Sequence, residues 1–331
     1  MAIDPEATEQ EREGGAPHRA GFVAILGPPN AGKSTLMNRI LGEKLAIVTA
    51  KPQTTRSRIL GIRNLPDAQL LLVDTPGLHA SSKPLNVALN EAVEVAVRDC
   101  DMAVLLVDLT RGWSDTHQEL FAGLRRAGKP VVVVGNKCDL PGAGSAEWPP
   151  PALGGELGEE AAGAPAAGDE ASAEPEKGVP LVTSMTLSAL NGEGVTSLLE
   201  RIVERLPESP PLYSDDALTD RPLRWLVGEL VREAVFECLG QELPYSMAVE
   251  VLKYDESRAD LVEIHANVIV ARDSQKRIVV GAGGKMIKRI GTRARREIER
   301  LVGAQVNLQL FVKIEPKWLK SSRRIEALGY S

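Results

Sequence analysis

Gly27-Pro28-Pro29-Asn30-Ala31-Gly32-Lys33-Ser34-Thr35 decides the fold. An apolar run at 22–26 precedes it and a helical pattern at 34–41 follows, so the stretch fits G-x-x-x-x-G-K-[ST] in the order strand, loop, helix. In such a loop the glycines let successive backbone N–H groups curl around a phosphate, and the N-terminus of the following helix adds its dipole. Lys33 supplies a point charge for the β- and γ-phosphates, and the Ser34 hydroxyl can ligate Mg²⁺. Residues Gly27 to Thr35 are therefore expected to hold the phosphates.

Outward from this loop the pattern alternates. Apolar runs at 70–73, 102–107 and 131–134 read as strands, with helical stretches at 87–97 and 115–127 between them. Strands that are apolar throughout are buried on both faces, and their alternation with helices implies an α/β fold with a mostly parallel sheet. Two of the strands end in motifs. Asp74-Thr75-Pro76-Gly77-Leu78 puts a carboxylate at a strand end, where it can hold Mg²⁺ through water, and a glycine N–H that can meet the γ-phosphate. Asn136-Lys137-Cys138-Asp139 places an acid that can accept both N1–H and N2–H of guanine, a donor pair that adenine lacks. Lys137 can lie along the base plane, and Asn136 can tie its loop to the phosphate loop. Ser188-Ala189-Leu190, after a strand expected at 179–185, can close over the base with a backbone N–H. Between the first two motifs, Lys51-Pro52-Gln53-Thr54-Thr55-Arg56 offers a threonine that can reach Mg²⁺ and report the γ-phosphate; Thr54 and Thr55 both remain candidates, with Thr55 slightly favoured. Lys33, Thr55 and Gly77 are the expected catalytic contacts, and Ser34, Thr54 or Thr55, and Asp74 the expected metal contacts.

The 331 residues suit about two domains at ~150 residues each. With 43% hydrophobic and 25% charged residues, wholesale disorder and collagen are excluded. No apolar run approaches the ~20 residues of a membrane span, and the acidic start lacks the apolar core of a signal peptide, so a cytoplasmic location is expected. Three cysteines far apart, Cys100, Cys138 and Cys238, form no zinc knuckle and suggest no disulfide framework. Residues 1–20 read as a disordered acidic tail and 21–206 as the nucleotide domain. Within it, 141–178, with 8 acidic residues against 1 basic and much Ala, Gly and Pro, reads as a flexible, dispensable insertion. Residues 207–220, flanked by prolines, read as a linker, and 221–331 as a second domain.

The net charge of −6 hides a basic block. Residues 272–324 hold 15 basic residues against 4 acidic, the footprint expected of a nucleic-acid face. An amphipathic helix at 223–239 is followed by two alternating strands, then Gly281-Ala282-Gly283-Gly284-Lys285, a helix with Ile287, Ile290, Ala294, Ile298 and Leu301 on one stripe, and a last alternating strand. This α-β-β-α-α-β order is that of a bacterial-type KH domain. Its G-x-x-G loop lets a nucleic-acid backbone approach and presents a helix N-terminus to phosphate. Gly281, Ala282, Gly283, Gly284, Lys285, Lys288 and Arg289 are the expected RNA contacts, and Arg293, Arg296 and Arg300 also avoid the apolar stripe.

Taken together, Gly-Pro-Pro-Asn-Ala-Gly-Lys-Ser, Gln-Thr-Thr-Arg, Asp-Thr-Pro-Gly-Leu-His and Asn-Lys-Cys-Asp resemble the translational-factor-related GTPases and, more closely, the bacterial Era family, over about 21–140, 179–205 and all of 221–331. The resemblance implies GTP hydrolysis with Mg²⁺, a KH domain that binds the 3′ end of small-subunit ribosomal RNA, a monomer, and a part in assembly of the 30S subunit. The family has a helical segment where this chain has low complexity at 141–178. Leu78 stands where many GTPases carry a water-orienting Gln, so slow intrinsic turnover is expected. Asn30 matches a residue that helps hold K⁺ in related GTPases; a loop-capping amide is the other reading. Two other functional classes stay open: a metabolic P-loop kinase or ATPase, against which Asp139 speaks, and a peripheral contact with the inner face of the cell membrane, for which no exposed apolar helix face speaks.

Overall fold

A computed structural model describes residues 17–48, 58–75, 93–144, 147–153, 182–240, 246–258 and 260–328. The N-terminal body is one six-stranded sheet. Its strands are β1 (Arg19–Leu26), β2 (Ile59–Leu65), β3 (Ala68–Asp74), β4 (Met102–Asp108), β5 (Val131–Asn136) and β6 (Val182–Leu187). The helices α1 (Lys33–Leu41), α2 (Asp115–Arg126), α3 (Val195–Arg205) and a helical stretch at 93–99 cover it. The strand order is β2-β3-β1-β4-β5-β6, with every neighbouring pair parallel except β2–β3. β3, β4 and β5 are buried at every position, which is why each is an unbroken apolar run in the sequence. Alternate residues of β1 feed two layers: Val23 and Ile25 pack with Leu36, Ile40 and Leu198, while Ala24 and Leu26 pack with Val93, Phe121 and Leu124.

Four sequence expectations change here. β2 was not expected: Gly61 interrupts its apolar run and Arg63 and Asn64 end it, yet it hairpins onto β3 through Pro66 and Asp67. The strand expected at 179–185 runs instead from Val182 to Leu187, so Ser188 follows it directly. Arg19 and Ala20, assigned to the tail, belong to β1; the Arg19 amide donates to Asp67 O (3.0 Å) and that of Ala20 to Pro207 O (3.2 Å). Residues 207–220 are a fastened strap, not a loose linker. Buried Gln69 accepts the amides of Leu212 (2.7 Å) and Tyr213 (2.9 Å), Ile62 N donates to Leu218 O (2.8 Å), and Thr219 bridges to Gly61.

The insertion also contributes to the core at its start. Leu153 is fully buried in the layer of Phe121 and Leu124, and Trp148 packs against that layer. A single side chain plugged into a core needs no periodicity, so the pattern of 141–178 gave no sign of it. Leu153→Ala is expected to destabilise the nucleotide domain by about 2–5 kcal/mol, the usual cost of emptying a leucine site. Denaturant unfolding checks this, and a change below about 1 kcal/mol would place Leu153 outside the core.

The C-terminal body consists of α4 (Leu223–Cys238), β7 (Met247–Arg258), β8 (Leu261–Val270), α5 (Asp273–Val280), α6 (Lys285–Val302), β9 (Gln305–Ile314) and α7 (Ser322–Ala327). Its sheet runs β7-β8-β9, antiparallel then parallel. Ile290, Ala294 and Ile298 of α6 meet Val231 and Val235 of α4 and Ile264 and Val268 of β8 in one core. At one end of the outer face, Trp318 and Ile325 cover Ala248 and Ile269. α4 belongs to both bodies: Leu226 sits in the first core, and Val227, Leu230 and Val231 in the second.

Candidate nucleotide site and nucleic-acid interface

The chain leaves β3, crosses β1 and enters β4, so the strand order reverses beside β1. In doubly wound sheets ligands bind at that point, beyond the carboxyl ends of the strands. Gly27 follows β1 there. Asp74, Asp108 and Asn136 are the last residues of β3, β4 and β5, and Ser188 follows β6.

Asn136 ties the loops together. Its Nδ2 donates to Ala31 O in the phosphate loop (2.7 Å), and its Oδ1 accepts the Ala189 amide (3.0 Å). Gly32 has φ +100°, and a Cβ there would run into Asn136 Nδ2, so a side chain at 32 would separate the loops. The Ala189 N–H is thereby engaged, and Leu190 is 67% exposed at the rim. Arg39 of α1 holds the same rim by donating to the carbonyls of Ala189 (3.3 Å) and Leu190.

Lys33 is buried, and its Nζ donates to the carbonyls of Gly27 (2.9 Å) and Pro28 (3.0 Å). Burial pushes the ammonium down to about 8, against the pull of the Asp74 charge. Carbonyl dipoles are weaker partners than phosphate oxygens, so the ammonium is placed to exchange them for a nucleotide's phosphates. The Ser34 hydroxyl donates to Asp74 Oδ2 at 2.7 Å. A hydroxyl beside a carboxylate fits a Mg²⁺ that Ser34 would ligate and whose bound water Asp74 would accept from, with a nucleotide's phosphates supplying further oxygens. Thr75 Oγ1 donates to Ile25 O (2.9 Å), fixing the chain just past Asp74. Asn30 is exposed with φ +65°, a conformation asparagine tolerates.

Asp108 was missed from the sequence. Lys137 Nζ donates to its Oδ2 (2.6 Å), and Thr110 donates to its Oδ1 through both N (3.0 Å) and Oγ1 (2.6 Å). Burial opposes its charge, but these bonds prevail and hold the carboxyl below the usual carboxylate range. Asp108 thereby anchors the lysine expected along the base plane. The signal was present: β3 and β4 both end Leu-Leu-Val-Asp. Asp139 is exposed just beyond β5. Thr54, Thr55, Arg56, Pro76, Gly77 and Leu78 lie outside the described residues.

In the second body, Gly281 to Gly284 join α5 to α6. Gly283 (φ +57°) and Gly284 (φ +76°) face open space. Lys285, Lys288 and Arg289 are exposed along the first turns of α6. Below them Ile287, Gly291, Leu308 and Leu310 line a groove between α6 and β9, with Lys288 and Arg295 at its lip. An apolar groove beside an exposed glycine loop and cations suits unpaired bases on a phosphate backbone. The basic face is narrower than the sequence suggested, because Arg293 pairs with Glu237 of α4, and Arg300 with Glu297 (2.7 Å). Among the described residues no cluster of His, Cys, Asp and Glu could hold a metal ion, and no helix is long and apolar enough to cross a membrane.

Comparison with known proteins identifies both domains. A family described as 50S ribosome-binding GTPase matches residues 22–137, and a KH domain matches residues 242–319. The GTPase Era of Geobacter metallireducens is 40% identical over 316 residues, covering 95% of this chain and 99% of that protein. That of Stenotrophomonas maltophilia is 40% identical over 315 residues, covering 95% and 98%. Among solved structures, Era in complex with MgGDPNP and nucleotides 1506–1542 of 16S ribosomal RNA superposes with a TM-score of 0.82 at 32% identity, covering 95% of this chain and 99% of that one. A variant of Aquifex aeolicus Era bound to GDP·AlF4⁻ gives 0.80 at 32%, with the same coverage. With a P-loop GTPase domain and a C-terminal KH domain in the same order along nearly its whole length, the chain belongs to the Era family of GTPases and is a GTP-hydrolysing enzyme.

Proposed function

We propose that the chain is a GTP-dependent switch that grips the single-stranded 3′ end of small-subunit ribosomal RNA with its KH domain and assists maturation of the 30S subunit in the cytoplasm. The observation that carries this is α4, which places Leu226 in the core of the nucleotide domain and Val227, Leu230 and Val231 in the core of the KH domain. The cores of the nucleotide domain and of the KH domain thus share one helix. The solved Era bound to both a GTP analogue and 16S ribosomal RNA supports the same pairing of ligands here. The basic residues border a G-x-x-G loop and an apolar groove, which favours RNA over an anionic membrane as their partner. Fluorescence titration of an oligonucleotide copying that RNA end, with a non-hydrolysable GTP analogue, with GDP and with no nucleotide, tests the reading. Tighter binding in the GTP state supports it, and three identical affinities overturn it.

In the nucleotide site, Lys33 and the loop amides take the phosphates, Ser34 and Asp74 hold Mg²⁺, and Asp139 with Lys137 reads guanine. Mg²⁺ held there would supply positive charge to the transferring phosphoryl group. Thr54 or Thr55 and Gly77 meet the γ-phosphate, and Leu78 in place of Gln leaves the attacking water without a side-chain amide. The exposed Asn30 beside the phosphate loop would hold a monovalent cation, which would supply charge where an arginine finger acts in other GTPases. Hydrolysis is therefore expected to run about tenfold faster in KCl than in NaCl at equal ionic strength, which is roughly 1.4 kcal/mol off the barrier. Equal rates in the two salts would remove the cation from the mechanism.

A further inference from the structure

Glu233 lies on α4 in the KH body, but its side chain is 3% exposed and turns toward the nucleotide domain. One carboxylate oxygen accepts the Val48 amide (3.2 Å), and the other pairs with Lys44 Nζ (2.8 Å). Lys44 Nζ also reaches Glu297 on α6 (3.2 Å), the helix that begins at the G-x-x-G loop. From the opposite side, Asn38 of α1 accepts the amides of Leu45 (3.0 Å) and Ala46 (2.8 Å) and donates to Ala46 O (2.8 Å). Residues 44–48 are therefore gripped by both bodies at once. They connect the helix of the phosphate loop to residues 49–57, which contain Thr54 and Thr55.

In this pair only the carboxylate is buried, and its desolvation offsets much of the attraction, so the contact adds little adhesion while fixing geometry. The strap at 207–220 is itself fastened to β2 and β3. We propose that Glu233 is a positioning residue through which the nucleotide state reaches the KH domain: it fixes, from α4, the point where the chain enters the segment carrying Thr54 and Thr55, and Lys44 passes a displacement there on to α6. This rests on the GTP-dependent RNA binding proposed above. Because the coupling is reciprocal, RNA on α6 biases the same segment toward its GTP arrangement.

The test uses the full chain and the oligonucleotide of the preceding section, and reads the ratio of RNA affinities with the GTP analogue and with GDP. The native ratio is expected to be at least about fivefold, the low end of allosteric couplings. Glu233→Gln and Lys44→Met are each expected to bring it within about twofold of one, with the double variant no worse than either single, as for two residues of one network. Fluorescent GDP binding and RNA affinity in the GDP state stay within about twofold of native, which a merely structural lesion would not allow. Lys44 is 43% exposed, so its variant keeps the test usable should Glu233→Gln fold poorly. A native ratio above fivefold that both variants retain would overturn the role of Glu233 and leave the switch standing. A native ratio of one would overturn the switch itself.

Discussion

Asp139→Asn will exchange the preferred nucleotide from GTP to xanthosine triphosphate. Asp139 follows β5 in a loop whose position is fixed from three sides: Asn136 bonds Ala31 and Ala189, Lys137 is anchored on Asp108, and the Cys138 amide donates to Leu187 O (3.3 Å). Its carboxylate is exposed at the rim, so it is available to a base and contributes little to the fold. A carboxylate facing guanine accepts from N1–H and from the N2 amine. An amide in its place keeps one acceptor but points its NH₂ at that amine, donor against donor. Losing one charge-assisted bond of ~1.5–3 kcal/mol and leaving a donor unpaired lowers GTP affinity on the order of 10²–10⁴-fold. Xanthine carries an oxygen at position 2, so the same NH₂ finds an acceptor, and affinity for xanthosine nucleotides rises instead. Competition of GTP, xanthosine triphosphate and ATP against a fluorescent guanine nucleotide measures all three. An unchanged GTP affinity would take Asp139 out of the base site.

The parts of this molecule that the sequence made legible are those whose signal is local. β3, β4 and β5 are covered on both faces, so each is an apolar run ending in the residue that carries its motif, and the phosphate loop has its strand and helix beside it. What escaped depends on distant partners. β2 is broken by Gly61, Arg63 and Asn64, leaving Ile59, Leu60, Ile62 and Leu65 to pack, and the strap of 207–220 is recognised only through Gln69, Asn64 and Ile62, which lie more than 140 residues away in sequence. Charged residues misled most. Glu229, Arg232 and Glu233 on α4 look like a solvated face, yet all three are buried, with Arg232 in a fork against Glu229 and Glu233 reaching across to Lys44. On α6 the reverse holds: Lys285, Lys288 and Arg289 stay in solvent while Arg293 and Arg300 are engaged by neighbouring acids. A count of charges could locate the basic face. Only the packing could say which part of it is available to a ligand.

That distinction governs the second large effect. Replacing Gly283 and Gly284 together with Asp is expected to abolish RNA binding and spare everything else. Both glycines have positive φ, where Asp is among the better-tolerated residues, and nothing lies within 4 Å of a Cβ placed at either. The fold therefore has room for the change. Two carboxylates at the N-terminus of α6 even interact favourably with the helix dipole. The same position is where a phosphate would sit, and the charges that suit the helix repel it and occupy its space. Gly281 is the informative contrast: a Cβ there would meet the Met286 backbone nitrogen at 2.9 Å, so Gly281→Asp should damage the domain itself. The double variant is expected to lose RNA affinity by at least ~100-fold, with the circular dichroism spectrum and the RNA-free GTPase rate unchanged. By comparison Lys288→Ala, which removes one cation from the lip of the groove, should weaken binding evenly across sequences and lower the salt slope by roughly 0.7. RNA affinity within twofold of native in the double variant would show that the groove beside α6 is not where RNA binds.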